Sequence, residues 1–164
     1  MEYVDIVSRI VHVGTAITVV GGSAFFLLVL MPSAPELPDE AHQQLSVAIK
    51  KRWKRIVHFG VLLFLVSGFY NYLRMIPLHK GDGLYHALLG TKILIALVIF
   101  FIASALVGSS EKLEPMRQNR AKWLKVVVLL AALIVAISGY VKVRGVGSVM
   151  VPAATSVENS NDQP

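Results

Sequence analysis

Two histidines and one lysine are the side chains whose positions in this sequence could support chemistry. His12 lies near the start of the uncharged run 10–31, and His86 and Lys92 lie in the apolar stretch 84–110. Two imidazoles that face inward at similar depth could clamp a metal or supply both axial ligands of a haem. A charged amine at a bilayer centre costs about 2.5–3.5 kcal/mol on the insertion scale, so a chain that keeps one either extends it to the surface or uses it.

The neighbours of these residues extend the hypothesis of a cofactor site. Gly90 lies one turn after His86 on the same helical face and would leave room for a porphyrin, and Arg9 could meet a propionate. Lys92 lies about 120° round the helix from His86, where it could extend to the interface, neutralise a cofactor carboxylate or transfer protons. We therefore predict His12, His86, Arg9 and Gly90 as cofactor-binding residues and Lys92 as catalytic. The alternative is that each histidine bonds a neighbouring helix or lies at the headgroups.

Copper is the alternative ligand for the same two histidines. Met75 and His79, which lie in a short loop, would join His12 and His86 in a copper-loading site built from soft and imidazole ligands. His58 lies roughly 10 Å deeper than His12 by helix rise and is a candidate for a second site. The chain has no Cys, which excludes iron–sulfur clusters and thiolate metal sites.

Composition indicates a membrane protein rather than a soluble domain. Hydrophobic residues make up 55% of the 164 residues. The net charge of +6 comes from basic residues beside the apolar runs, which favours lipid contact and excludes nucleic acid as the expected partner. We predict an all-α, integral membrane four-helix bundle over residues 1–144, with helices at about 5–31, 39–74, 83–110 and 119–143. A disordered tail is predicted over 145–164.

Local signals predict where the helices end and which way they face. Pro32, Pro35 and Pro38 are expected to break the first helix, and Asp82 is a candidate cap for the third. The first and third connectors carry ten Lys and Arg residues and the opposite side carries five. The positive-inside rule therefore predicts cytoplasmic basic connectors, with both termini outside.

Three segments carry a resemblance to a known family. They run from His12 through Gly21-Gly22 to Pro32, over 55–71 with its ending LVSGFYN, and over 89–98 with Lys92. Together they resemble the copper resistance protein D (CopD-type) membrane domain. The plan is also similar to the four-helix, haem-binding protoporphyrinogen oxidase of bacterial membranes, which has a histidine early in its first helix and a lysine in its third. The similarity covers roughly residues 5–143.

The resemblance implies a four-helix bundle in the bacterial inner membrane, with either copper passage or a b-type haem. In it, His12 matches the first-helix histidine and Lys92 the third-helix lysine. Two features depart from the pattern: Val19 and Val20 stand where a tryptophan usually precedes the paired glycines, and His86 lies farther from Lys92 than the corresponding histidine does.

The leading functional hypothesis is a haem b protein with a redox or electron-transfer role, the haem lying between the first and third helices. Its expected partners are the lipid bilayer and a membrane-soluble reductant or porphyrin-like substrate. The protein could act as a haem-dependent membrane oxidoreductase. It could also form a homo-oligomer. The alternatives are copper transport across the membrane and a non-catalytic scaffold or assembly factor.

Overall fold

Four long helices account for most of the computed structural model, which describes residues 2–144. We label them α1 (Glu2–Phe25), α2 (Asp39–Met75), α3 (Gly83–Val107) and α4 (Arg120–Arg144). Between residues 2 and 144 there is no β-strand, so the predicted all-α class is confirmed. The predicted tail at 145–164 lies outside the described residues.

Each of the four helical spans is long and apolar enough to cross a bilayer. Large apolar side chains cover the outer surface of the bundle, among them Leu28, Leu94 and Val135, which are 70%, 67% and 71% exposed. An apolar exterior of this extent is unfavourable in water and fits an environment of acyl chains. These features are those of a multi-pass membrane protein.

The first span is longer than predicted, because its prolines do not end the helix at once. After α1 the chain continues through a wide π-turn at Phe26–Leu30, a short helix at Met31–Ser33 and a 3₁₀ turn at Ala34–Glu36. The ring of Pro32 would clash with the carbonyl of Leu28 in a regular α-helix, and the wide turn opens the backbone there. The chain becomes extended only at Leu37.

The other boundaries lie close to the predicted ones. Helix α2 runs without a break from its basic, amphipathic start to Met75. The side chain of Asp82 accepts a hydrogen bond from the Tyr85 backbone N–H at 3.0 Å, which confirms the predicted cap of α3. Helix α3 ends at Val107 instead of residue 110, because Gly108 adopts an extended conformation. A 3₁₀ turn at Glu111–Leu113 and a short helix at Glu114–Gln118 lead into α4.

The helices form a ring in which α1 packs against α2 and α3 packs against α4. Contacts between α1 and α4 and between α2 and α3 complete the ring, so α1 and α3 lie diagonally across the bundle. The buried apolar core lies between the second half of α3 and the first half of α4. Its members are Ile99, Ile102, Leu106, Leu124, Val127 and Ala131. The half of the bundle away from this core contains polar contacts between α1 and α2.

A methyl group at Gly22 should destabilise the contact between α1 and α2. A Cβ atom at this position would collide with the indole of Trp53, whereas a Cβ at Gly14 would have no atom within 4 Å. We expect Gly22→Ala to lower stability by about 1–3 kcal/mol through overpacking. The matched variant Gly14→Ala should be neutral or stabilising, because alanine favours the helix by about 1 kcal/mol. Thermal unfolding in detergent, followed by circular dichroism, measures both; equal midpoints would contradict this packing.

Candidate functional site

His12 is held against three residues of α2. Its Nδ1 atom lies 3.1 Å from the Ser67 hydroxyl oxygen, and its ring centroid lies 4.0 Å from that of Phe64. A Cβ atom at Gly68 would lie only 3.1 Å from the His12 Cε1 atom, so a glycine there leaves room for the ring. The imidazole, which is half-buried, is therefore fixed in one orientation within the membrane-spanning part of the bundle.

The hydrogen bonds of Ser67 determine which nitrogen of His12 carries the proton. The Ser67 hydroxyl donates to the Leu63 carbonyl oxygen at 2.7 Å, a common bond for serine inside a helix. Because a hydroxyl has a single hydrogen, Ser67 must accept its bond from His12. Nδ1 of His12 is then protonated, and Nε2 retains its lone pair. A nitrogen in that state can bind a metal or accept a proton.

Lys92 is a further polar side chain within the apolar helices. It is half-buried in α3, the helix that lies diagonally across the bundle from α1. We call the three polar residues His12, Ser67 and Lys92 the His12 centre. They place an imidazole, a hydroxyl and an amine within helices that are otherwise apolar. Such groups are costly inside a membrane and are typical of functional positions.

A ladder of polar side chains leads from the His12 centre to the end of the bundle where α1 begins. The Ser8 hydroxyl lies 3.3 Å from both the Ser67 carbonyl oxygen and the Asn71 side-chain oxygen. Asp5 then accepts hydrogen bonds from Tyr70 at 2.8 Å and from two nitrogens of Arg74 at 2.9 and 2.8 Å. The spacing of 5, 8 and 12 places the three α1 side chains on one face. This polar ladder joins α1 to α2 and links the centre to the bundle end.

The remaining predicted cofactor residues lie elsewhere. His86 is exposed, and its ring meets that of the adjacent Tyr85 edge-on at 5.7 Å. A Cβ atom at Gly90 would have no atom within 4 Å, so the predicted room exists, but on the His86 face of α3 rather than on the face of Lys92. Arg9 is exposed. The structure thus brings His12 together with Ser67 of α2, and a site that His12 shares with His86 or Lys92 stays a prediction.

The copper candidates form a separate group in the loop before α3. The His79 ring stacks on Tyr85 with centroids 3.6 Å apart, and its Nδ1 lies 3.1 Å from the Met75 carbonyl oxygen. Met75 enters this contact through its backbone and not its sulfur. His58 is exposed, with its Nδ1 atom 2.7 Å from the Lys54 carbonyl oxygen. Within residues 2–144, no three His, Cys, Asp or Glu side chains are grouped to hold a metal ion, and the copper site stays a prediction.

His12 is the residue of this centre that would hold a b-type haem. A haem-ligating histidine normally donates its second ring N–H to a fixed partner, and the Ser67 hydroxyl would be that partner. The half-buried amine of Lys92 is a cation that an anionic porphyrin side chain could use. Sequence reasoning had named His12 and Lys92 but had missed Ser67, Ser8 and Asp5. The signal that could have identified the last two is the helical spacing of the polar residues before His12.

Comparisons with family models, with curated proteins and with solved structures gave no match to this chain. No relative therefore identifies the ligand of the His12 centre. Its chemistry has to be inferred from the residues of this chain and their geometry.

Proposed function

We propose that this chain is a b-type haem protein of the bacterial inner membrane with a redox or electron-transfer role, in which His12 would hold the haem through Nε2. The observation that carries the proposal is the His12 ring itself, which is held inside a membrane-spanning helix by the bond between Nδ1 and Ser67. In the neutral tautomer that protonates Nδ1, Nε2 carries the lone pair that would bind the iron. The resemblance to the CopD-type domain and to the haem-carrying oxidase supports the same choice. The basic connectors would lie in the cytoplasm and both termini outside.

Each residue of the His12 centre has a distinct part in this proposal. His12 would bind the cofactor, and Ser67 would orient the imidazole and raise the basicity of Nε2 by accepting a hydrogen bond from Nδ1–H. Lys92 holds a positive charge beside the ligand, either to bind a carboxylate or to donate a proton to a reduced substrate. When bound, a haem would supply one-electron chemistry. A membrane-soluble reductant or a porphyrin-like molecule is the expected electron donor.

An absorbance spectrum of the purified protein tests this function. The full chain is produced in cells with ample haem, purified in detergent, and measured after oxidation and after reduction. We expect a Soret band, with visible bands that sharpen on reduction. A colourless protein would contradict the proposal. If the colourless protein drove copper uptake into proteoliposomes, the result would favour copper transport over the haem proposal. If the protein bound no haem, transported no copper and retained a stable protein partner, the result would favour a scaffold role.

Loss of the Lys92 charge should lower the reduction potential of the bound cofactor. A nearby cation stabilises the reduced form, which carries one more electron. Its removal in Lys92→Met should therefore shift the midpoint downward, by on the order of 50 mV for an effective dielectric constant near 20. Lys80→Met removes the charge of an exposed loop lysine and serves as the matched control. Redox titration followed at the Soret band measures both variants, and equal shifts would contradict a specific role for Lys92.

A further inference from the structure

The end of the bundle opposite the polar ladder contains a cavity lined by cationic side chains. It has a volume of about 470 Å³ and lies where α2, the end of α3 and the connector to α4 meet. Its basic lining residues are Lys50, Arg117 and Arg120, and Glu114 is its acidic one. Three cations against one carboxylate favour an anion as occupant.

Two guanidinium nitrogens in the lining of this cavity are buried without a partner. Nη1 of Arg117 and Nε of Arg120 have no hydrogen-bond acceptor among residues 2–144. The other groups of Arg117 are already engaged, because Nε donates to Glu114 at 3.0 Å and Nη2 donates to the Ser110 carbonyl oxygen at 2.7 Å. A buried donor without an acceptor is unfavourable and uncommon in folded proteins. These two N–H groups therefore indicate a ligand that supplies oxygen acceptors.

An apolar groove lies directly beside the cationic cavity. It has a volume of about 260 Å³, and Lys50 and Arg120 line both spaces. The Arg120 guanidinium carbon also lies 5.2 Å from the ring centroid of Phe26, a lining residue of the groove. Its other apolar lining residues include Leu30, Met31, Leu45 and Ile49. A cationic head site therefore continues into an apolar groove between the end of the first span, residues 26–35, and the first part of α2.

We propose that this is a binding site for an anionic phospholipid. The phosphate would occupy the cationic cavity and accept hydrogen bonds from Arg117 and Arg120, and one acyl chain would follow the apolar groove. Guanidinium groups match phosphate oxygens in geometry as well as charge, and basic pockets between membrane helices are suited to anionic headgroups. The site is at the other end of the bundle from His12, so it does not depend on the haem proposal.

Native mass spectrometry of the full-length protein in detergent tests the headgroup part of the site. The probes are phosphatidylglycerol and phosphatidylcholine with identical acyl chains. We expect Arg120→Gln to weaken phosphatidylglycerol binding about tenfold, the usual order for one charge-assisted contact. Arg52→Gln removes an exposed arginine of the same end and should have little effect. Equal losses in the two variants, or equally tight binding of phosphatidylcholine by the wild type, would overturn the proposal.

A second pair of measurements tests the acyl-chain part and separates a lipid from free phosphate. Ala34 lines the groove, so Ala34→Trp should fill it. We expect this variant to bind phosphatidylglycerol about tenfold more weakly, whereas the wild type should bind inorganic phosphate only at far higher concentration than the lipid. If inorganic phosphate binds as tightly as the lipid, the lipid assignment fails. Arg120→Lys keeps the charge and should retain part of the binding, which guards against misfolding of Arg120→Gln.

Discussion

The variant His12→Ala should lose the haem spectrum of the wild-type protein. The imidazole of His12 is the group that would hold the haem, and an alanine leaves no donor atom there. The affinity for haem should fall by more than the roughly 100-fold that changes in a ligand's hydrogen-bond partner produce. Spectra of equal amounts of purified protein, recorded after addition of hemin, measure the loss. A His12→Ala variant that keeps the wild-type Soret band and the wild-type reduction midpoint would show that His12 does not bind the haem.

Two other histidine variants make this result specific. His58→Ala removes an exposed imidazole whose Nδ1 atom is bonded to the Lys54 backbone, and the spectrum should not change. His86→Ala decides how many imidazoles bind the cofactor. If its loss leaves the spectrum intact, His12 is the sole histidine ligand; if it changes the bands as His12→Ala does, the two-histidine site predicted from sequence is the correct one.

Removal of the Ser67 hydroxyl should weaken cofactor binding by about 10–100-fold without abolishing it. In Ser67→Ala the His12 ring loses the acceptor of its Nδ1 proton, so both its orientation and its tautomer become less defined. The affinity should be measured by hemin titration. Ser138→Ala is the matched control, because the Ser138 hydroxyl makes the same bond to a carbonyl four residues earlier, Ile134 at 2.6 Å.

The conservative variant Ser67→Thr tests the hydrogen bond itself. Threonine can bond the carbonyl of Leu63 in the same way and still accept from His12. We expect it to recover most of the affinity lost in Ser67→Ala. If Ser67→Ala and Ser138→Ala weaken binding equally, then the effect is one of helix packing, and the proposed orientation of His12 by Ser67 is wrong.

The four helices could be predicted from sequence because their signals are local. Uncharged runs of sufficient length, such as 10–31, indicate a membrane span whatever surrounds them. The end of the first span was predicted too early, because the rule that proline breaks a helix assumes regular α-helical geometry before it. The turn at Phe26–Leu30 is wider than an α-helical turn, so this assumption does not hold and the helix continues through Pro32.

The site was predicted only in part, because its geometry depends on the rotation of each helix about its own axis. Helix α3 is apolar on its lipid-facing and interior sides alike, so its sequence pattern does not indicate which face points inward. His86 was the predicted partner of His12, but the structure shows it exposed, whereas Lys92 is half-buried. Ser67 was missed because a serine in a membrane helix usually satisfies itself through its own backbone. Its bond to His12 depends on the packing of α1 against α2, which the sequence around Ser67 does not indicate.

The wide turn of the first span also divides that helix into two parts with different angular phase. One additional residue in the turn sets the later side chains back by about 100° relative to an uninterrupted α-helix. Residues before the turn direct His12 towards α2, whereas Leu30 and Met31, at its end, line the groove beside Arg120. A single transmembrane segment can therefore present one surface to the His12 centre and another to the groove beside the cationic cavity at the opposite end of the bundle. Deleting one residue of Phe26–Leu30 should restore the regular α-helical phase between the side chains before the turn and those after it.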